Sequence, residues 1–262
     1  MISYNMYKSI IIIFILTLLF YTLLKKSENY NNYNHIDAYY VINLDETNEG
    51  KRRWNIIKNH NILGSLVTRF RGTYGLTRNK KLYDNTIVSK SWDYGKWKHN
   101  KSKMISMTDG EIGVSISHYK LWKKLINSNM NIIMILEDDA IKISDDFLNC
   151  LQITLQEVPK DWDMILIGFW LHRGEKGYKV SKNISRVKDF ALMHCYVINK
   201  KGSKKLLDKL PINAPLDTWV SGLSNDLNIY RHNFIRPLTK NPIGRIIRQK
   251  RLQKQILNTN NW

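Results

Sequence analysis

The sequence predicts a three-layer α/β/α sandwich with a mainly parallel sheet, preceded by one N-terminal transmembrane helix. Three observations carry this. Short apolar, β-branched runs alternate with helical periodicities along most of the chain, the pattern of strands joined by covering helices. The run Ile132 to Leu136 ends abruptly in Glu137, Asp138 and Asp139, as a strand buried on both faces would at the edge of an open sheet. An uncharged stretch, Ser9 to Leu24, is dominated by Ile, Leu and Phe.

That stretch gives about 24 Å of helix against roughly 30 Å of hydrocarbon, and extending it back through Tyr4 closes the gap. A signal peptide is the rival reading, but no small-x-small cleavage pattern follows, which favours an uncleaved anchor. The expected organisation is a short flank (1–8), a signal-anchor (9–24), a polar Asn- and Tyr-rich stem (25–35), a catalytic domain (36–240) and a basic tail (241–262). Lys25 and Lys26 follow the anchor while only Lys8 and the amino terminus precede it, which by the positive-inside rule favours a cytosolic domain. Asn100-Lys-Ser and Asn183-Ile-Ser are sequons that would report a lumenal one.

Within the domain, Asp37 to Leu44 reads as the first strand, ending at Asn43 and Asp45. Lys51 to His60 reads as a helix and Leu66 to Phe70 as a second strand, with Gly72 and Gly75 as turn signals. Leu76 to Lys103 has no clear period and is read as a functional loop or lid. Asp109 is the expected N-cap of a helix to about Asn127, with Ile112, Ile116, Tyr119, Trp122 and Ile126 on its buried face. Gly110 and Gly113 open that helix where a ligand or another element approaches closely. Ser144 is the expected cap of a helix through Glu157. Strands follow at Asp163 to Gly168, Ala191 to Ile198 and Asn228 to Arg231, with a helix over Lys200 to Leu210 and a chain break at Pro211 and Pro215.

The charge balance is strongly basic, with 41 Lys and Arg against 22 Asp and Glu and a formal net charge of +19. It predicts attraction to anions. The basic residues are scattered, and no helix-turn-helix, zinc-finger or RNA-binding motif is visible, so no specific nucleic-acid partner is expected. Cys150 and Cys195, the only cysteines, exclude a disulfide framework and a cysteine-built zinc site.

The acidic triplet is the main chemical feature. Ligand crevices of open α/β sheets lie beyond the carboxyl ends of the strands, and three adjacent carboxylates there need compensation. A divalent cation, Mn²⁺ or Mg²⁺, provides it. Period-2 geometry sends Glu137 and Asp139 to one side and Asp138 to the other. Asp139 is the first candidate ligand, with Glu137 as a second or as holder of a water or ribose hydroxyl. Haloacid-type phosphatases share the Asp-x-Asp logic, but their first acid is an Asp nucleophile where this chain has Glu137.

Four landmarks occur in order over roughly residues 36 to 240. They are Val41-Ile-Asn-Leu-Asp45 with Arg52 and Arg53, Gly110-Glu-Ile-Gly-Val-Ser-Ile-Ser-His118, Leu136-Glu-Asp-Asp139, and Tyr196-Val-Ile through Gly202-Ser-Lys-Lys-Leu-Leu207 to Pro215-Leu-Asp217. In these the chain resembles glycosyltransferase family 25, which contains bacterial lipooligosaccharide galactosyltransferases and animal procollagen galactosyltransferases. The resemblance implies a GT-A fold, a UDP-sugar donor, a metal at the Glu-Asp-Asp edge and transfer with inversion to a glycan or protein (collagen-like) acceptor. It also implies a lumenal (ER or Golgi) domain for a eukaryotic or viral chain and a cytoplasmic one for a bacterial chain.

Under this resemblance Asp217 is the candidate base or acceptor ligand and His118 a second catalytic candidate. Asn43, Asp45, Arg52, Arg53 and Asp138 are candidate donor contacts, an Arg serving the diphosphate. Two departures stand out: Val114 where the family often has Cys, and Gly72-Thr-Tyr-Gly75 where it often has Ala-x-Asp-Gly. They keep a second class open, a non-catalytic glycan-binding domain on the same fold; a basic membrane-tethered nucleic-acid binder ranks last.

Overall fold

The computed structural model describes residues 12–21, 35–75, 85–97, 101–140, 146–171 and 177–233. The chain divides into two units, Met1–His35 and Ile36–Trp262. In the first, residues 12–21 form helix α1, about 15 Å long at 1.5 Å per residue. No helix among the described residues is long and apolar enough to cross a membrane, and the rest of the expected anchor lies outside them. The basic tail (241–262) and most of the stem also lie outside the described residues.

In the second unit the strands are β1 (Ala38–Asn43), β2 (Val67–Arg71), β3 (Ser91–Asp93), β4 (Met104–Ser106), β5 (Ile132–Glu137), β6 (Met164–Leu171), β7 (Tyr178–Lys179), β8 (Ile184–Arg186), β9 (Phe190–Asn199) and β10 (Ile229–His232). The helices are α2 (Asn48–Lys58), α3 (Tyr94–Trp97), α4 (Asp109–Ile126), α5 (Phe147–Glu157), α6 (Lys200–Leu207) and α7 (Leu216–Gly222). Eight strands form one sheet in the order β2-β1-β5-β9-β6-β10-β8-β7, and β3 pairs with β4 in a separate hairpin.

Parallel pairing joins β2, β1 and β5, and also β6 and β10. The sheet is mainly parallel in strand direction, as expected; the exceptions are β9, which runs antiparallel between β5 and β6, and β8, which runs against β10 and β7. The reversal of β9 requires no crossover helix, which is why a polar connection to it suffices where a helix would otherwise be needed.

Strand alternation sorts the core into two layers. On one face Ile133 and Ile135 pack with Ile112, Ile116 and Trp122 of α4, Leu206 of α6 and Trp219 of α7. On the other, Ile132, Met134 and Leu136 pack with Ile57 of α2 and Phe147, Leu151 and Leu155 of α5. Every residue of β5 but its last is buried, which a continuous apolar run requires.

Local chemistry corrects several boundaries. The N-cap of α4 is Thr108, not Asp109: its hydroxyl accepts the Glu111 N–H while the Glu111 carboxylate accepts the Thr108 N–H. This reciprocal box outcompetes the single bond Asp109 offers. Asp146 precedes α5 without a side-chain cap bond, and Ser144 lies outside the described residues. The stretch expected to be a loop or lid contains β3 and α3. Burial of Trp92 anchors it, and the Asp93 carboxylate accepts the N–H groups of Lys96 and Lys103. Between Pro215 and Gly222 the chain forms α7, because Pro215 supplies the extended entry and Asp217 suits the positive end of the helix.

The two glycines of α4 have different uses. A Cβ on Gly113 would lie 2.5 Å from the Thr73 carbonyl oxygen, so this glycine lets the 72–75 segment pack against the helix. A Cβ on Gly110 would meet only Thr108 Oγ1, at 4.0 Å. Gly113→Ala is therefore expected to destabilise by about 2–3 kcal/mol through overpacking, and Gly110→Ala to be neutral or stabilising by up to about 1 kcal/mol. Chemical denaturation of the two variants checks this; equal effects would contradict it.

Candidate functional site

The site is built on the carboxyl end of β5. Parallel pairing aligns Ile42 of β1 with Glu137, which brings Asn43 beside Asp138. Pleating then splits the three acids. Glu137 turns to the α4 side and meets His118, while Asp138 turns to the α2 side and meets Arg53.

On the α2 side, Asp138 accepts from Arg53 Nη1 at 2.8 Å and from Asn43 Nδ2 at 2.7 Å. Asn43 is 1% exposed. Its Nδ2 also donates to the Gly50 carbonyl at 2.8 Å, and its Oδ1 accepts from Arg69 Nε and Nη2 at 2.8 and 2.6 Å. Arg53 Nε is held by Glu49 at 2.9 Å, and the Arg69 guanidinium lies over the Trp54 ring. Burial pushes the Asp138 carboxyl above its ordinary value, against the pull of Arg53 and Asn43. Asp138 is thus committed to holding β1, β5 and α2 together.

On the other side, His194 of β9 stands between the outer acids. Its Nδ1 is 3.2 Å from Glu137 Oε2 and 3.3 Å from Asp139 Oδ1. The antiparallel register Leu136↔Cys195 is what carries His194 to this edge. Burial alone would lower the His194 pKa, but the Asp139 and Glu137 carboxylates beside the ring outweigh it and lift it to about 10. Glu137 feels the same contacts in reverse: burial would raise its carboxyl, and His118 and His194 hold it well below the usual range. One ligand atom each from Glu137, Asp139 and His194 lies within 4.8 Å of the others. Asp139 Oδ1 is buried and makes no hydrogen bond of good geometry. Two carboxylates, an imidazole and an underused buried oxygen fit a divalent cation such as Mn²⁺ or Mg²⁺.

His118 is 1% exposed and sits behind Glu137, with Nε2 3.6 Å from Glu137 Oε1 and Nδ1 2.7 Å from the Tyr196 hydroxyl. Asp217, in the first turn of α7, is 7% exposed. Its Oδ2 accepts the Leu192 N–H at 2.8 Å and its Oδ1 the Thr218 N–H at 2.8 Å. Leu192 has a φ of 59°, a left-handed conformation that costs a leucine energy, so this bond braces β9 two residues before His194. The pairing of β9 with β6 shifts register on both sides of Gly168, where a Cβ would lie 3.1 Å from Cys195 Cβ.

Of the residues singled out in the sequence, the structure brings Glu137, Asp139 and His118 together on one side and Asn43, Arg53 and Asp138 on the other. Asp45 pairs with Arg71 at 3.4 Å, and Arg52 is an exposed partner of Glu49 at 2.8 Å. His194, Tyr196 and Arg69 carry the site and were not anticipated. The available signal for the first was a histidine inside the apolar run Ala191 to Ile198.

The family model described as Glycosyltransferase family 25 (LPS biosynthesis protein) matches residues 36–220. The chain belongs to glycosyltransferase family 25. A glycosyltransferase 25 family member of Anopheles gambiae is 30% identical over 188 residues, which are 69% of this chain and 30% of the mosquito protein. Procollagen galactosyltransferase 1 of Danio rerio is 29% identical over 127 residues, 45% of this chain and 21% of the fish protein. A putative glycosyltransferase of Haemophilus influenzae is 31% identical over 129 residues, 47% of this chain and 44% of the bacterial protein. The chain therefore spans under half the length of these relatives. The matched family segment contains the whole acidic edge, His194 and Asp217.

Asn43→Ala should leave Asp138, Arg69 and the Gly50 carbonyl short of partners at a cost of about 2–3 kcal/mol, lowering the melting temperature by roughly 4–10 °C. Arg52→Ala should change stability by less than about 0.5 kcal/mol. Thermal denaturation distinguishes them, and an Asn43→Ala protein as stable as the parent would contradict the assigned role.

Proposed function

We propose that this chain is a metal-dependent glycosyltransferase that moves a sugar from a UDP-sugar to a hydroxyl group of a glycan or protein, with inversion. The observation that carries this reading is the Glu137–Asp139–His194 cluster at the carboxyl end of β5. Family membership supports the reaction class, and the procollagen galactosyltransferases among the relatives make a collagen-like acceptor and a galactose donor the first to test. The mixed sheet with its acid-tipped central strand agrees with a GT-A arrangement.

In this reading Glu137, Asp139 and the neutral imidazole of His194 would hold the cation, the ring proton that the two carboxylates favour in its absence being released on binding. A bound Mn²⁺ or Mg²⁺ supplies positive charge for the diphosphate that leaves with the donor's nucleotide. Asp138, Arg53 and Asn43 fix the strand end from behind, so the outer acids hold their geometry without reorganising. Inversion calls for a base on the acceptor hydroxyl. Asp217 is the candidate, because its carboxylate stands in the first turn of α7 against Leu192, two residues before His194. His118, enclosed behind Glu137, is given no proton-transfer role, in contrast to the sequence expectation. The apolar N-terminal stretch supports a single-pass anchor, with the domain lumenal in a eukaryotic or viral setting and cytoplasmic in a bacterial one.

The test is release of nucleoside diphosphate from a panel of nucleotide sugars, with Mn²⁺, with and without collagen-like peptide and glycan acceptors. The parent chain is expected to turn over one donor, to stop on addition of a chelator, and to lose at least about 100-fold on Asp139→Asn or His194→Ala. Turnover indifferent to the chelator and to both substitutions would refute the metal-dependent reading.

A further inference from the structure

Three aromatic side chains behind Glu137 make a directed chain of hydrogen bonds. His118 and Trp122 lie one turn apart on α4, and Tyr196 faces them from β9. Trp122 Nε1 is 2.9 Å from the Tyr196 hydroxyl and His118 Nδ1 is 2.7 Å from the same oxygen. All three side chains are buried, and the His118 and Tyr196 rings stack with centroids 5.6 Å apart.

An indole N–H can only donate, so the Tyr196 oxygen accepts from Trp122. The single hydroxyl hydrogen of Tyr196 then needs an acceptor, and His118 Nδ1 is the acceptor at hydrogen-bonding distance. A hydrogen left without a partner in this dry setting would cost about 1–3 kcal/mol. His118 Nδ1 must therefore present its lone pair, and the ring proton resides on Nε2. That nitrogen is buried, makes no hydrogen bond of good geometry, and lies 3.6 Å from Glu137 Oε1. At this separation the N–H biases the carboxylate electrostatically and does not clamp it. The opposite oxygen, Oε2, faces His194.

We propose that Trp122, Tyr196 and His118 form a positioning relay: Tyr196 fixes the Nε2–H tautomer of His118, which attracts one oxygen of Glu137 and leaves the other facing His194 and Asp139. The proposal rests on the reading of that edge as a cation site. It assigns to His118 and Tyr196 the part outer partners of metal-binding carboxylates play elsewhere, orienting a ligand they do not replace.

The test uses the full chain with ¹⁵N-labelled histidine. In the metal-free parent, the His118 ring should show a bare Nδ1 and a protonated Nε2, and Tyr196→Phe should release the second tautomer. Mn²⁺ affinity, followed by the electron paramagnetic resonance of the free ion, should fall about tenfold in Tyr196→Phe and in His118→Leu. His118→Gln, whose amide restores an N–H donor near the position of Nε2, should recover affinity to within about threefold of the parent. A packing role alone would lower stability in all three variants and leave the parent-like affinity. A protonated Nδ1 in the parent, or unchanged affinity in both Tyr196→Phe and His118→Leu, would overturn the relay. If the parent binds no Mn²⁺, the cation reading fails, and the imidazole spectrum of the parent and of Tyr196→Phe alone decides for or against the relay.

Discussion

Three consecutive carboxylates at the end of a fully buried strand would repel one another and resist desolvation, and the second unit of the chain is arranged to relieve that conflict. The pleat separates them first. Asp138 goes to one face, where Arg53 and Asn43 receive it, and Glu137 and Asp139 are left to the other, where His194 stands between them. Each half needs a different neighbour strand: β1 brings Asn43 by parallel pairing, and β9 brings His194 by antiparallel pairing. The sheet order β1-β5-β9 is thus an electrostatic requirement of β5 as well as a packing solution.

The two faces then serve different ends. Behind Asp138 the contacts are local to the scaffold, running through Glu49, Gly50 and Arg69, and they commit every polar atom of Asn43. Behind Glu137 the contacts run inward to His118, Tyr196 and Trp122. Of the three acids, Asp139 keeps an underused oxygen at the edge. A rigid back and an underused front are what a site that receives a cation and a charged leaving group requires. The brace from Asp217 to the left-handed Leu192 extends this logic to β9, since backbone strain persists only where neighbouring contacts hold it.

What could be read from the residues, and what could not, follows the range of the interactions. The strand at Ile132 to Glu137 was legible because burial on both faces writes a continuous apolar run, and the split of the acids followed from period 2. The face of α4 that carries Ile112, Ile116 and Trp122 was legible for the same reason. Asn43 and Arg53 were recognised as important but not as partners of Asp138, to which the structure joins them. That pairing depends on the register of β1 against β5, about 95 residues apart in sequence. His194 was missed because a histidine inside an apolar strand looks like a satisfied core residue until the direction of β9 is known. The cap of α4 was misplaced by one residue since both Thr108 and Asp109 can cap, and only the reply from Glu111 selects between them.

In the proposed reading Glu137, Asp139 and His194, without Asp138, form one cation site at the end of β5. Anomalous scattering from crystals of the protein soaked in Mn²⁺ tests it most directly. A single strong peak bounded by those three side chains is expected, with the Asp138 carboxylate still on Arg53 and Asn43. A peak coordinated by Asp138, or Mn²⁺ bound elsewhere with this edge unchanged, would contradict it.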